Sequence, residues 1–245
     1  MTETIDCEDL GGGVSRLVLN RAPVNALSAA FLDRFAARLE ELARDDSVRA
    51  VILASPFKVF SAGLDLKEAQ AFDSAGEREI VRALNEDFLA LYTFPKPVVA
   101  ALNGAAIAGG FFFVLGADWR IAAPRAQFGL AEVRVGADFP VGPMEIARDA
   151  LSPDVLRRLM LTGQPVRAAD ALAQGFVDAV SEDVETDALA KAAELAALPP
   201  GTFASVKRQI RAPAVARIRA ALEAPQGDWF TAETRPAMKR MLGAS

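Results

Sequence analysis

The chain of 245 residues has no histidine and one cysteine, Cys7. A single cysteine cannot close an internal disulfide, and with no histidine beside it no zinc cluster of the usual spacing can form. Serine–histidine and cysteine–histidine nucleophilic sites are excluded in their usual form, which leaves Asp, Glu, Lys, Arg, Tyr and backbone groups to move protons and charge. Any catalytic base is therefore expected to be a carboxylate. No apolar run reaches the roughly 18 residues that suggest a membrane span. The acidic start, MTETIDCEDL, lacks the pattern of a secretory signal or a transit peptide, so the expectation is a cytoplasmic protein with no membrane partner. An excess of positive charge is missing too. Lys and Arg number 27 against 32 Asp and Glu, a net charge of −5 with no general attraction for nucleic acid. The one basic stretch, KRQIRAPAVARIR at 207–219, reads as a solvated helical face.

What is present is a long apolar alternation. With 52% hydrophobic residues the chain can bury a core as one large domain, or as one domain and a tail. Residues 14–20 (VSRLVLN) read as a strand, 28–46 as a helix opened by Ser28, and 48–55 (VRAVILAS) as a buried strand. A helix over 77–92, the strand-like FPKPVVAALNG at 94–104 and a strand at 118–123 repeat the cycle. The class is α/β with a largely parallel sheet. From about residue 142 strands nearly vanish, and the tail reads as helical. The glycines at 11–13 suit a hairpin turn, and Pro-Pro-Gly at 199–201 reads as a turn.

Two glycine-bearing segments sit where α/β proteins place ligand loops, after strands: FSAGLDL at 60–66 and AAIAGGFFF at 105–113. Glycine costs on the order of 1 kcal/mol against alanine inside a helix, so Gly109 and Gly110 need a tight turn or a close approach to the backbone. The first N–H groups of a helix lack internal partners and can hold an anion or a developing oxyanion.

Taken in order, VILAS, VFSAGLDLKE, KPVVAALNGAAIAGG, ADWRIAA and AQFGLAEVRVG resemble the enoyl-CoA hydratase/isomerase family, also called the crotonase family, over essentially the whole chain. The resemblance implies a crotonase-like ββα spiral core, residues 1–195, with a C-terminal helical trimerisation region at 196–245, and a homotrimer or dimer of trimers. It implies a thioester carbonyl gripped by two backbone N–H groups, which fall here on Leu64 and Gly109. The glycine-rich turn reads Ala108-Gly109-Gly110, so its first glycine is missing. Hydratases of the family carry a glutamate shortly after this turn and a second one later; the first position is Phe112 here, and the second is Glu132. A phenylalanine accepts no hydrogen bond from water, which weakens a hydratase role. GLAEVRVGADFP is also more similar to the pattern of 3,2-enoyl-CoA isomerases, where one carboxylate suffices to move a proton from C2 to C4. Water addition, dehydration, thioester hydrolysis and a catalytically silent acyl-CoA-binding subunit stand as the alternatives.

The remaining site expectations are softer. Asp138, six residues past Glu132, is a second acid or a turn residue in GADFPVG. Glu145 is a weaker candidate, and Asp65 is expected to orient the loop after Leu64. If Phe111, Phe112, Phe113 and Phe128 face Glu132, they raise its pKa. The resemblance places coenzyme A against backbone at Ala26 and Ala62, and it puts Phe230 and Lys239 over the ligand. Lys67 reads either as a point charge for a phosphate or as an ordinary surface lysine. No metal centre and no separate cofactor are expected, coenzyme A being part of an acyl-CoA substrate in fatty-acid metabolism.

Overall fold

The computed structural model describes residues 3–224 and 228–243. Strands β1 (Glu3–Asp9) and β2 (Val14–Arg21) form the expected antiparallel hairpin, in which Cys7 faces Leu17. Gly11, Gly12 and Gly13 turn the chain between them, all in the left-handed region that side chains disfavour. A two-residue strand β3 (Ala26–Leu27) leads into α1 (Ala29–Arg44), where Ser28 caps the first turn by accepting from the Phe31 N–H at 3.1 Å. The helix buries Phe31, Leu32, Phe35, Leu39 and Leu42 as one stripe.

The middle of the chain repeats one step three times. A strand of the large sheet is followed by a short strand of a second sheet and then by a helical turn. The first step is β4 (Ala50–Ala54), β5 (Val59–Ser61), the two-residue β6 (Gly63–Leu64) and α2 (Leu66–Ala69), after which comes the long α3 (Ser74–Thr93). The second is β7 (Val98–Leu102), β8 (Ala105–Ile107), a 3₁₀ turn at Ala108–Phe111 and α4 (Phe112–Leu115). The third is β9 (Trp119–Ala122), β10 (Gln127–Gly129) and a 3₁₀ turn at Glu132–Val135. Within each sheet these strands pair in parallel, β4 with β7 and β7 with β9, β5 with β8 and β8 with β10. β4 and β7 are buried at every residue, as a parallel sheet covered on both faces requires. The glycine-led segment thus comes after β8, and it opens one 3₁₀ turn and one α-helical turn.

Helices dominate the rest of the chain: α5 (Val141–Ala150), α6 (Pro153–Thr162), β11 (Val166–Arg167), α7 (Ala168–Ala173), β12 (Ala179–Val180), α8 (Val184–Ala196), α9 (Pro200–Leu222) and α10 (Thr234–Met241). β12 completes the large sheet, in order β1-β2-β4-β7-β9-β12, and β11 edges the second, in order β11-β10-β8-β5. One face of the large sheet packs on the alanine stripe Ala188, Ala192 and Ala196 of α8. Its other face joins the aromatic core, to which α9 adds Ala214 and Ile218. Among the described residues no helix is long and apolar enough to cross a membrane.

Two expectations fail here for physical reasons. Pro199-Pro200-Gly201 is the start of α9, with Pro200 in its first turn, where a missing N–H costs nothing. Nor is the basic stretch at 207–219 a solvated face throughout. Lys207 and Arg211 are buried and meet Asp118, at 2.6 Å to one carboxylate oxygen and 2.8 Å to the other. Arg211 also donates to the carbonyls of Tyr92 and Gly116 and lies 4.3 Å over the Tyr92 ring.

Candidate active site

The three repeated steps bring three residues to one place. Leu64 follows β5, Gly109 follows β8 and Glu132 follows β10, and all three line a single cavity of about 90 Å³. These are the carboxyl ends of adjacent parallel strands, where open α/β sheets leave room for ligands.

Backbone geometry at the first two is tightly determined. Asp65 N–H donates to Leu27 O at 3.0 Å across the β3–β6 ladder. Alternation along the strand then turns the Leu64 N–H away from β3, on the cavity side. Gly63 has φ +79°, and a Cβ there would stand 2.7 Å from Ile107 O and 3.1 Å from Gly109 N. The peptide preceding Leu64 and the one preceding Gly109 are therefore neighbours. Gly109 lies in the opening turn of the 3₁₀ segment, where N–H groups have no acceptor within the turn. Ala108, standing where a glycine was missed, is held at φ +50°, a strain of roughly 1 kcal/mol for an L side chain.

The close approach expected at the two glycines is made by the protein's own atoms. A Cβ on Gly109 would meet Leu27 Cδ1 at 2.8 Å, and one on Gly110 would meet Ser61 Oγ at 2.5 Å and Ser61 O at 2.6 Å. Their bare faces point into the protein's own core, where Leu27 of β3 packs on Gly109 and Ser61 of β5 on Gly110.

Glu132 opens the turn that Gly136 closes at φ +64°. It is 7% exposed, and its Oε2 is buried without a hydrogen-bond partner. Among the described residues it is the only ionisable side chain lining the cavity, whose walls include Leu64, Leu84, Phe112, Pro143 and Met238. Loss of water pushes its carboxyl up to about 8. The carboxyl is thus poised near neutral pH in the same cavity as Leu64 and Gly109, and among the described residues no other ionisable side chain lines that cavity to share its charge.

Of the four phenylalanines expected around Glu132, only Phe112 reaches the cavity, its ring 5.6 Å from Phe88. Phe113 packs edge-on against Phe35 and Phe88, and Phe111 packs edge-on against Phe176 and tilted against Phe128. Asp138 is exposed and does not line the cavity; only its carbonyl is engaged, accepting from Trp229 Nε1 at 2.7 Å. Glu145 is buried on α5 in ion pairs with Arg148 and Arg217. Asp65 caps α2 and pairs with Arg21 at 3.2 Å.

Ala62 lines the cavity, whereas Ala26 does not, and its carbonyl accepts from Arg21 at 2.6 Å. Lys67 is exposed on α2, outside the cavity. In the C-terminal segment the expectation is off by one position in each case. Phe230 stacks on Phe72, and its neighbour Trp229 faces the cavity. Lys239 is exposed on α10, whereas Met238, fully buried, and Met241, half exposed, line the cavity. The signal that finds these two was present, since residues three apart share a helical face.

The chain matches the family model described as enoyl-CoA hydratase/isomerase over residues 9–234. It is 33% identical over 201 residues to the probable enoyl-CoA hydratase EchA17 of Mycobacterium tuberculosis, covering 81% of this chain and 77% of that protein. To human mitochondrial enoyl-CoA delta isomerase 1 it is 35% identical over 215 residues, 86% of this chain and 71% of that one. The crystal structure of the human mitochondrial delta3-delta2-enoyl-CoA isomerase superposes with a TM-score of 0.86 at 31% identity, covering 98% and 96% of the two chains.

Proposed function

The chain belongs to the enoyl-CoA hydratase/isomerase family, and on that footing we propose that it shifts the double bond of a 3-enoyl-CoA to the conjugated 2-enoyl-CoA. Leu64 and Gly109 N–H groups hold the thioester oxygen. Glu132, as carboxylate, takes a proton from C2; the electrons move onto the thioester as a dienolate, and the same carboxyl returns the proton to C4. One group serves as base and then as acid, so no second ionisable side chain is required. The observation that carries this reading is the solitude of Glu132: a buried carboxyl whose Oε2 has no hydrogen-bond partner, and among the described residues the only ionisable side chain lining the cavity.

Water addition is the competing reaction, since relatives with hydratase and isomerase names match at similar identity. It needs a second group to hold the water. Phe112 cannot do so, and Asp138 is outside the cavity. The proposal includes no metal and no separate cofactor, a cytoplasmic setting, and a homotrimer or dimer of trimers, the last checked by light scattering on the purified protein.

The test gives the enzyme a 3-enoyl-CoA and, separately, a 2-enoyl-CoA, with Glu132→Gln as control. Conjugated thioester should form from the first, no conjugation should be lost from the second, and the variant should be silent. Loss of conjugation by water addition sinks the assignment in favour of hydration. Inertness toward both substrates while acyl-CoA binds would indicate a binding subunit.

A further inference from the structure

Trp229 separates two spaces. On one side is the cavity that holds Glu132; on the other is a groove of about 250 Å³ running along α3. Trp229 lines both. Consecutive residues of α3 complete the partition, Leu84 facing the cavity and Asn85 the groove. At about 90 Å³ the cavity is well below the size of an ordinary ligand pocket, roughly 300 Å³ or more.

The tryptophan is fixed from several directions. Its backbone N–H and that of Phe230 both donate to one carboxylate oxygen of Glu77, at 2.5 and 2.6 Å. Its indole N–H donates to Asp138 O at 2.7 Å. The Phe230 ring lies 5.0 Å from it and is itself stacked on Phe72 at 6.4 Å. Arg235 donates to the Gln70 and Phe72 carbonyls and lies 5.7 Å from the centre of the Phe230 ring. Such bracing makes a wall and not a freely turning side chain. Behind it, Val81 and Leu222 give the groove an apolar floor between charged edges.

We propose that Trp229 is a specificity residue that ends the acyl subsite and restricts the protein to short, unbranched, unsubstituted acyl chains; this rests on the reading that an acyl-CoA occupies the cavity. The second restriction comes from the lining: among the described residues its side chains are apolar except Glu132 and the Trp229 indole N–H, which is already bound to Asp138 O, so a carboxyl on the acyl group would be buried without a donor. Removing the indole joins cavity to groove and gives a longer chain a path over Val81 and Leu222.

The experiment measures calorimetric affinities of hexanoyl-CoA and dodecanoyl-CoA, which bind without reacting, for the full-length wild type, Trp229→Ala, Trp229→Phe and Glu77→Ala. Each methylene that finds an apolar surface is worth roughly fourfold in affinity. The wild type should bind the longer thioester no more tightly than the shorter. Trp229→Ala should raise the dodecanoyl-to-hexanoyl affinity ratio at least tenfold. Trp229→Phe and Glu77→Ala should move it the same way by less, and they keep the test alive if the alanine variant does not fold. A wild type that already gains affinity with chain length overturns the proposal, as does an unchanged ratio in all folded variants. So does failure to bind either thioester. The isomerase reading fails separately, if 3-hexenoyl-CoA is not turned over while this length discrimination stands.

Discussion

Asp118 and Glu132 are both carboxylates withdrawn from water, and the protein treats them oppositely. Asp118 accepts from the Val98 N–H, from Lys207 and from Arg211, tying β7, β9 and α9 together. Glu132 has an oxygen that nothing donates to, in a cavity whose other walls are apolar. A carboxylate paired on both oxygens holds elements in register, whereas a buried acid left alone resists ionisation and costs stability. The fold sets Glu132 after β10 in the cavity that Leu64, after β5, and Gly109, after β8, also line. Burial alone does not set Glu132 apart. Glu145, also buried, is engaged by Arg148 and Arg217. Asp87, buried on α3 with one oxygen unpartnered and its carboxyl thereby pushed up to about 7, lies outside the cavity, so what distinguishes Glu132 is a lone carboxyl inside it.

Exchanging the two circumstances should produce opposite phenotypes. Glu132→Gln is expected to lower kcat on a 3-enoyl-CoA by about 10²- to 10⁴-fold with the fold intact, measured by initial rates beside a melting curve. Asp118→Ala should do the reverse. Lys207 and Arg211 would remain buried without their shared counter-charge, so denaturant unfolding should show a loss of about 3–5 kcal/mol. Activity per folded molecule should stay close to the wild type.

A smaller effect sharpens the contrast through pH. The folded pKa of Glu132 is raised to about 8, above the ordinary value of 4.5 expected when unfolded. The folded state therefore holds its proton while the unfolded state releases it, and stability falls as pH rises from about 4.5 to about 8, then levels. Glu132→Gln removes that fall. Its melting temperature should match the wild type near pH 5 and exceed it near pH 9, by an amount corresponding to at most a few kcal/mol. Equal pH dependence of the two proteins would mean that Glu132 is not isolated in solution. The smallest expected change is at Ala108→Gly: relief of the φ +50° strain is partly offset by the greater backbone freedom of glycine when unfolded, so unfolding should show a gain below about 1 kcal/mol.

The same distinction between local and distant causes explains which features were legible in the sequence. α1 was readable because its cap and its apolar stripe are local: Ser28 precedes Phe31, Phe35, Leu39 and Leu42 at helical spacing. β5, β6 and β8 are two or three residues long, too short to show a period, and their pairing of Val59 with Ala105 or Gly63 with Ala26 is made by distant segments. α3 starts three residues before the expected helix because Asp73 caps it, accepting from Ala75 and Gly76 N–H, and the glycine obscures the start. At the site, Leu64, Gly109 and Glu132 were legible from motif order. The C-terminal lining was not, because Glu77 and Gly136, far off in the chain, decide which side of residues 228–241 faces in; Gly136 O accepts from Thr234 Oγ1 at 2.5 Å. Lys207 and Arg211 were misread because only Asp118, about 90 residues earlier, reveals that a cation there is buried.

If a lone, desolvated Glu132 is the proton-transfer group, the pH dependence of kcat/KM on a 3-enoyl-CoA tests it most directly, since that quantity reports ionisations of the free enzyme. The rate constant should rise by one decade per pH unit and level near pH 8, where the carboxyl becomes a base. A profile already flat from about pH 5 would contradict this, because the base would then be a carboxylate of ordinary pKa and not the buried one.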